Sequence, residues 1–316
     1  MKTNSSANSI EGISKATVIG AGAIGLSWAA LFLANGLKVT INDPRPDIES
    51  LSLRGLAQIA PSLKALGYEV EELTAQLTFE SDLAKAVADA DVVQENAPEN
   101  IAFKQELYAK LEGMVKPSAL VLSSSSSIPS TVFSANMKNA GRVLLGHPFN
   151  PPHLIPLVEV VPGARTSKEA VAEAIAFYSA IGKSPILIEK EISGFVANRL
   201  QSAIMKESVY LVKSGVVSME NLDKIVSSSI GLRWAAAGPF KTFTLGGGPG
   251  GLPHFIEHLG PTLESLWNAL GPASFDEETT KLLTDQVNSS YAKIPYEDLE
   301  KERDQQQLAV IKALNK

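Results

Sequence analysis

Two residues in the middle of the chain have the types and spacing of a general base and its partner. His147 ends an apolar stretch and is followed by the bend Pro148–Pro152, and Glu159 lies in the next apolar stretch. If both stretches are neighbouring strands, the bend brings the Glu159 carboxylate beside the imidazole, where it fixes the tautomer and raises the basicity of His147. The pair therefore predicts proton removal from an alcohol. Structural roles, a buried histidine and an edge-strand charge, are the alternatives.

A glycine-rich turn near the start of the chain predicts dinucleotide binding. It follows an apolar strand, opens a helix, and has the sequence Gly20-Ala21-Gly22-Ala23-Ile24-Gly25. Gly20 permits the tight turn, Gly22 lets a pyrophosphate approach the backbone, and Gly25 allows close helix–strand packing. Asp43 ends the next strand, where its carboxylate accepts hydrogen bonds from a ribose and repels a 2′-phosphate. We therefore expect NAD, and the nearby Arg45 leaves NADP as the alternative.

Alternating strands and helices must position these residues. Short apolar runs alternate with helical patterns as far as about residue 190, and only helical periodicity follows. This pattern is typical of an α/β fold with a Rossmann-type, doubly wound parallel sheet at the N-terminal side and an all-helical C-terminal domain. We predict a disordered tail over residues 1–15, an NAD-binding domain over 16–191 and a helical domain over 192–316.

Composition excludes several classes of protein. The chain has 316 residues, is 45% hydrophobic, and carries a net charge of -6 without a long basic run, so it can bury a core and is a poor match for nucleic acid. It has no cysteine, which rules out disulfides, thiolate zinc sites and a cysteine nucleophile. Neither a signal sequence nor an apolar run of about 18 residues is present. We expect a cytoplasmic protein that does not bind membranes.

The ordered set of motifs resembles the 3-hydroxyacyl-CoA dehydrogenase family over roughly residues 16–245. Besides the glycine turn, the resemblance rests on the serine run Ser123–Ser127, the His147–Pro151 turn, the segment around Glu159 and the stretch Gly194–Leu200. Details such as Gly231-Leu232-Arg233-Trp234 are most similar to the branch that contains lambda-crystallin, an L-gulonate 3-dehydrogenase, and L-carnitine dehydrogenase.

The resemblance implies oxidation of an L-3-hydroxyl by NAD and a homodimer formed through the helical domain. It makes His147 the catalytic base, Glu159 its partner, and Asn198 the polar residue near the reacting oxygen. Ser126 takes the place of the serine that binds the substrate hydroxyl, although five identical residues leave that register open by one. The resemblance also assigns cofactor-side positions, which are Gly20, Gly22, Ala23, Ile24, Gly25, Asp43, Ala97, Glu99 and Lys104.

The predicted substrate is a small, free L-3-hydroxy acid, as for an L-gulonate 3-dehydrogenase. Alternatives are a short-chain (S)-3-hydroxyacyl-CoA, L-carnitine, or a crystallin-like structural or NAD-binding protein without turnover. Residues 44–78 contain only three basic residues against five acidic ones, which disfavours a CoA ester. Arg233 is the predicted ligand of the substrate carboxylate, because a planar guanidinium suits bidentate capture. A salt bridge is the alternative role of Arg233.

A second histidine pair lies in the C-terminal half of the chain. His254 and His258 are four residues apart with Glu257 between them, in the order of the rarer inverted zinc motif. Because so short a match is common by chance, we expect a solvated helix face here and no metal site. We likewise interpret the glycine-rich segment Leu245–Leu252 as a mobile loop inside the helical domain.

Overall fold

The computed structural model describes residues 12–314. Eight strands form one sheet in the order β3-β2-β1-β4-β5-β6-β7-β8, so the chain winds outward in both directions from β1 and confirms the doubly wound fold. The strands are β1 (Lys15–Ile19), β2 (Lys38–Asn42), β3 (Leu77–Phe79), β4 (Val92–Glu95), β5 (Leu120–Ser123), β6 (Val143–Pro148), β7 (Leu157–Pro162) and β8 (Ser184–Leu187).

The sheet is parallel from β3 through β6, and its last two strands run the other way. β7 pairs with β6 in antiparallel register, and β8 is parallel to β7. The predicted, mainly parallel sheet therefore contains one antiparallel pair at this edge, where the bend returns the chain. The connection from β6 to β7 has no room for a crossover helix, and so short a connection can join only antiparallel neighbours.

In the described part of the chain, six helices lie between the strands and six follow them. The first set is α1 (Ala23–Ala34), α2 (Ile48–Leu66), α3 (Leu83–Ala88), α4 (Ile101–Leu111), α5 (Ser130–Phe133) and α6 (Lys168–Ala180). The second set is α7 (Ala197–Lys213), α8 (Met219–Ser228), α9 (Ile230–Gly246), α10 (Gly251–Ala269), α11 (Glu277–Ser289) and α12 (Tyr296–Leu314). No helix within residues 12–314 is long and apolar enough to span a membrane.

Sequence patterns found most of the helical half but missed two helices. α9 and α11 were not predicted, because α9 contains Gly238 and Pro239 and α11 is largely polar. The predicted loop over residues 245–252 is instead short: α9 ends at Gly246, a 3-10 turn covers Gly248–Gly250, and α10 begins at Gly251. Glycines here connect two packed helices.

Ser14 and Lys15, at the end of the segment predicted as a tail, are hydrogen-bonded to the rest of the chain. β1 begins at Lys15, and the Asp91 carboxylate accepts hydrogen bonds from the backbone N–H groups of Ser14 and Lys15. These two bonds hold the chain in place before the first strand. Residues 1–11 lie outside the described part of the chain.

Backbone contacts divide the chain into two units. The first, which we call the sheet unit, runs to Asn198 and adds Asp304–Val310; the second, the helical unit, contains Arg199–Arg303 and the end of the chain. Both large clusters of buried apolar side chains, one on each face of the sheet, belong to the sheet unit. The buried apolar core therefore lies in the same unit as His147 and the glycine turn.

Candidate active site

His147 lies near the end of β6, directly opposite Glu159 on β7. The imidazole Nδ1 is 2.8 Å from the Glu159 Oε2 atom, and both side chains are buried. Phe149 and Phe195 flank the imidazole, with ring centroids 4.8 Å and 5.4 Å away. This antiparallel pairing produces the contact that the sequence predicts, because the bend after His147 returns the chain in register.

Glu159 is anchored at the start of α7 as well as at His147. Its Oε1 atom accepts hydrogen bonds from the backbone N–H groups of Val196, at 3.0 Å, and Ala197, at 2.9 Å. Burial would raise the pKa of Glu159, but the hydrogen bonds from His147, Ala197 and Val196 outweigh it and hold this pKa below its ordinary value. The carboxylate therefore stays ionised and fixes Nδ1 of His147 as the protonated nitrogen.

The turn before α7 has a backbone conformation that sequence reasoning missed. Phe195 has a φ of 49°, although it is a bulky residue, and Gly194 before it has a φ of 74°. Side chains of this size rarely occupy the left-handed region, and such residues cluster at functional sites. Here the turn aims two N–H groups at Glu159 and places the fully buried Phe195 ring against the histidine. The glycine before an aromatic residue was the available signal.

Ser126 and Asn198 are in contact. The Asn198 side-chain amide donates a hydrogen bond to the Ser126 carbonyl oxygen at 3.1 Å. Ser126 in turn donates its backbone N–H and its hydroxyl to the Glu99 carboxylate. Hydrogen bonds and neighbouring positions in the sequence thus connect the predicted residues, from His147 through Glu159 and Asn198 to Ser126.

Three other serines of the run form hydrogen bonds inside the fold. The Ser123 hydroxyl donates to Glu95, the Ser124 hydroxyl donates to Asn96, and the Ser125 hydroxyl donates to Glu99. Ser126 is exposed, whereas Ser123 and Ser125 are buried and Ser124 is half-buried. Exposure therefore favours Ser126 over its three predecessors as the serine that meets a substrate, and Ser127 is exposed as well.

The glycine turn has the shape that a pyrophosphate requires. Gly20 has a φ of 79°, and a Cβ atom on it would lie 2.9 Å from the Asn96 carbonyl oxygen. At Gly25 a Cβ atom would lie 1.9 Å from the Gly20 carbonyl oxygen, which excludes any side chain. At Gly22, in contrast, nothing lies within 4 Å, so the start of α1 is open to a phosphate group.

Asp43 stands beside this turn at the end of β2. It accepts hydrogen bonds from the backbone N–H groups of Ala21, at 2.9 Å, and Arg45, at 3.0 Å, and from the Arg45 guanidinium. Burial opposes ionisation, but these bonds and the charge of Arg45 lower the pKa of Asp43 to about 2. A cavity of about 580 Å³ opens between Gly20, Asp43 and the loop Asn96–Pro98. These residues fit a dinucleotide with a free ribose 2′-hydroxyl.

Lys104 lies deeper than the resemblance implies. Its ammonium group is 2.6 Å from Glu95, the side chain is 1% exposed, and it also approaches the Ala97 carbonyl oxygen. Sequence reasoning missed Glu95, a charged residue that ends the apolar strand β4 nine positions before Lys104. The pair holds the loop that carries Ala97 and Glu99, and a direct contact of Lys104 with the cofactor stays a prediction.

Two predicted features lie in the helical unit. Arg233 is exposed on α9, and among the described residues its guanidinium makes no ion pair. His254, Glu257 and His258 lie on one exposed turn of α10, with ligating atoms within 4.8 Å of one another.

Comparison with known proteins decides the family. A sequence profile of the 3-hydroxyacyl-CoA dehydrogenase NAD-binding domain matches residues 15–192, and the profile of the C-terminal domain of the same enzymes matches residues 194–277. The chain belongs to the 3-hydroxyacyl-CoA dehydrogenase family. It is an NAD-dependent oxidoreductase that acts on a CH–OH group. Similar proteins also confirm the predicted branch of the family, the one that contains L-carnitine dehydrogenase.

Three similar proteins are named for different substrates. The chain is 41% identical to an L-carnitine dehydrogenase of Streptomyces coelicolor, over 96% of this chain and 95% of the relative. It is 43% identical to a 3-hydroxyacyl-CoA dehydrogenase of Gibberella moniliformis, over 95% and 94%. A solved structure of an NAD-dependent dismutase, 5-formyl-3-hydroxy-2-methylpyridine 4-carboxylic acid 5-dehydrogenase, superposes with a TM-score of 0.81 at 29% identity, over 96% and 99%.

Proposed function

We propose that this protein oxidises the L-3-hydroxyl group of a small, free 3-hydroxy acid to the 3-keto acid, with NAD as the acceptor. The observation that carries the proposal is the buried His147–Glu159 pair, with Glu159 held by the start of α7. A protein that only bound NAD would have no need of a buried base. The same observation therefore disfavours a crystallin-like role without turnover.

In the proposed reaction His147 removes the hydroxyl proton. Its Nδ1–H bond to Glu159 leaves Nε2 as the basic atom, and the carboxylate stabilises the imidazolium that forms. Ser126 and Asn198 orient the oxygen while it becomes a carbonyl oxygen. NAD, which the glycine turn and Asp43 would hold, would supply the acceptor for the hydride of C3. Phe149 and Phe195 keep water away from the imidazole.

The charges near the cofactor cavity support a free acid over a CoA ester. Of the three basic residues between positions 44 and 78, Arg45 is paired with Asp43 and Lys64 with Glu71. Arg54 is the third, and it has no acidic partner among the described residues. The phosphates of CoA need several unpaired cations, so this surface offers little to hold them.

Two free acids are the first candidates. The L-carnitine dehydrogenase relatives favour L-carnitine, and the half-buried Trp234 suits a quaternary ammonium group. L-Gulonate is the second candidate, from the lambda-crystallin branch. The decisive experiment compares L-carnitine, L-gulonate, 3-hydroxybutyrate and 3-hydroxybutyryl-CoA as substrates with NAD, by following NADH formation. A higher kcat/KM for the CoA ester than for every acid would refute the proposal.

Arg233 is the proposed ligand of the substrate carboxylate. Its support is the exposed guanidinium without an ion pair among the described residues. A charged hydrogen bond contributes about 1.5–3 kcal/mol, so Arg233→Met should reduce kcat/KM on the best acid at least ~10-fold and barely change it on the methyl ester. Equal losses on acid and ester would make Arg233 a structural residue.

We further propose a homodimer formed through the helical unit, in the cytoplasm. A groove of about 900 Å³ between α7, α8 and α11 is lined mainly by apolar side chains, among them Met205, Val209 and Leu222. A second copy of the chain would cover such a surface. Cytoplasmic location agrees with a chain that has no cysteine, because it needs no oxidising compartment.

A further inference from the structure

Three possible metal ligands meet on one turn of α10. His254, Glu257 and His258 occupy positions i, i+3 and i+4, so their side chains share one face of the helix. Each offers one ligating atom, and these atoms lie within 4.8 Å of one another. All three residues are exposed, whereas Phe255 packs its ring against Phe243 of α9 at 4.8 Å. The ligand face therefore points away from the packed face.

A hydrogen bond prepares His258 for metal binding. Its Nδ1 atom is 2.9 Å from the His254 carbonyl oxygen, which can only accept a hydrogen bond. The proton must therefore be on Nδ1, and the lone pair of Nε2 is free to bind a metal. The centroids of the two imidazole rings are 4.0 Å apart, so both rings can approach one ion.

We propose that His254, Glu257 and His258 bind one divalent transition-metal ion of the zinc type. Two imidazoles and a carboxylate are a ligand set that Zn²⁺ accepts, with the fourth position left to water. Zn–N bonds of about 2.0–2.1 Å place tetrahedral ligands about 3.4 Å apart. Exposed side chains can close to that separation from 4.8 Å by rotation about their own bonds.

The bound ion would stabilise a helix that is weak by composition. α10 contains Gly251, Pro253, Gly260 and Pro261, all poor residues for a helix interior. An ion that joins positions 254 and 258 closes one helical turn between these breakers. We therefore expect the ion to slow hydrogen exchange of the backbone N–H groups in this turn.

The positions of the histidines allow this site to be tested alone. Of its four histidines, His147 and His153 are buried in the sheet unit, and only the α10 pair is exposed. Binding of a metal ion through surface imidazoles can therefore be attributed to a single place.

The test uses the full-length protein without an affinity tag, after treatment with EDTA. Co²⁺ is added and its visible absorption is followed, and Zn²⁺ is then used to displace it. One ion per chain is expected. His254→Asn and His258→Asn should weaken binding at least ~10-fold and Glu257→Gln by a smaller factor, while Glu264→Gln, an exposed carboxylate on the same helix, should leave it unchanged.

Hydrogen–deuterium exchange of the α10 peptide, with and without Zn²⁺, supplies a second measurement. Slower exchange is expected in the unaltered protein and in Glu264→Gln, but not in His258→Asn. Unchanged Co²⁺ binding in both histidine variants, or no binding at all, would overturn the site. Full binding in Glu257→Gln would overturn the three-ligand assignment.

Discussion

The two units of this protein bury apolar side chains very differently. The sheet unit has dense clusters on both faces of the sheet, with residues such as Trp28, Leu144 and Phe177 completely buried. In the helical unit the buried apolar residues are Val209, Val212 and Leu222, while Leu232 is 63% and Phe240 77% exposed. One unit is complete in a single chain, and the other presents surface of the kind that a partner covers.

This difference separates chemistry from assembly. The sheet unit can hold His147, Glu159 and Asp43 in fixed positions because His147 and Glu159 lie on paired strands of a packed sheet and Asp43 directly follows β2. In the proposed dimer the helical unit would gain stability, because a second copy would cover its apolar helices. Changes to polar residues in the sheet unit should therefore alter catalysis, whereas changes to apolar residues in the helical unit should alter association.

The largest effect is expected at His147. His147→Gln removes the base while the surrounding core stays intact, so kcat should fall by about 10²–10⁴-fold and NAD affinity should be nearly unchanged. Turnover measured by NADH formation, together with NAD binding by calorimetry, tests this expectation. Glu159→Gln should also lower kcat, because the amide no longer stabilises the imidazolium. Near-normal turnover of His147→Gln would refute the mechanism.

The next effect tests the helical unit. Met205 lines the apolar groove and is 49% exposed, and Leu53 on α2 of the sheet unit is 41% exposed. Met205→Glu should convert the dimer to monomers, since an unpaired carboxylate in an apolar interface costs several kcal/mol. Leu53→Glu is the matched control and should leave the mass unchanged. Light scattering gives both masses, and a dimeric Met205→Glu or a monomeric unaltered protein would refute this interface.

A third prediction concerns cofactor choice in the sheet unit. In the unaltered protein the Arg45 guanidinium lies 2.8 Å from the Asp43 carboxylate. Asp43→Ser removes this carboxylate, which would bind the ribose, and releases the guanidinium. NAD should bind at least ~10-fold more weakly, in line with about 1.5–3 kcal/mol for a charged hydrogen bond, and NADP should gain from the freed cation. Kd values for both cofactors are the measurement. A variant with the same preference for NAD would show that Asp43 does not select the cofactor.

Sequence reasoning succeeded where chemistry and local pattern coincide. The doubly wound sheet was predicted from apolar runs separated by helices. The contact between His147 and Glu159 was predicted from the proline-containing bend between two strands. The order of motifs along the chain identified the family. Each of these inferences rests on residues that are close in sequence or that end consecutive elements.

The remaining features depend on contacts between distant residues. The Tyr178 hydroxyl fills the space that Gly146 leaves and donates to Gln94 at 2.8 Å, a relation between three separate elements. The antiparallel edge and the polar helix α11 likewise depend on tertiary packing, which overrides local propensity. The positive φ of Phe195 was not predicted, although Gly194 before it was a signal of an unusual turn.

The smallest effect is expected at Lys183, a second buried lysine of the sheet unit besides Lys104. Its ammonium group donates to the carbonyl oxygens of Pro152, at 2.5 Å, and Ile155, and it lies 5.6 Å from the Trp28 ring. These contacts hold the segment that follows the His147 turn. Burial lowers the pKa of Lys183 to about 7, because the charged form loses its hydration.

This shift makes the effect of Lys183→Met depend on pH. The unfolded chain keeps the lysine pKa near 10.4, so between pH 7 and 9 the unfolded state binds more protons than the folded one, and the unaltered protein gains about 2 kcal/mol relative to Lys183→Met. Below pH 7 both states are protonated and this gain is absent. Urea unfolding at pH 7 and 9 measures it, with the exposed Lys110→Met as a control that should show little pH dependence. An equal cost at both pH values would mean that Lys183 stays fully charged, held by its two carbonyl partners.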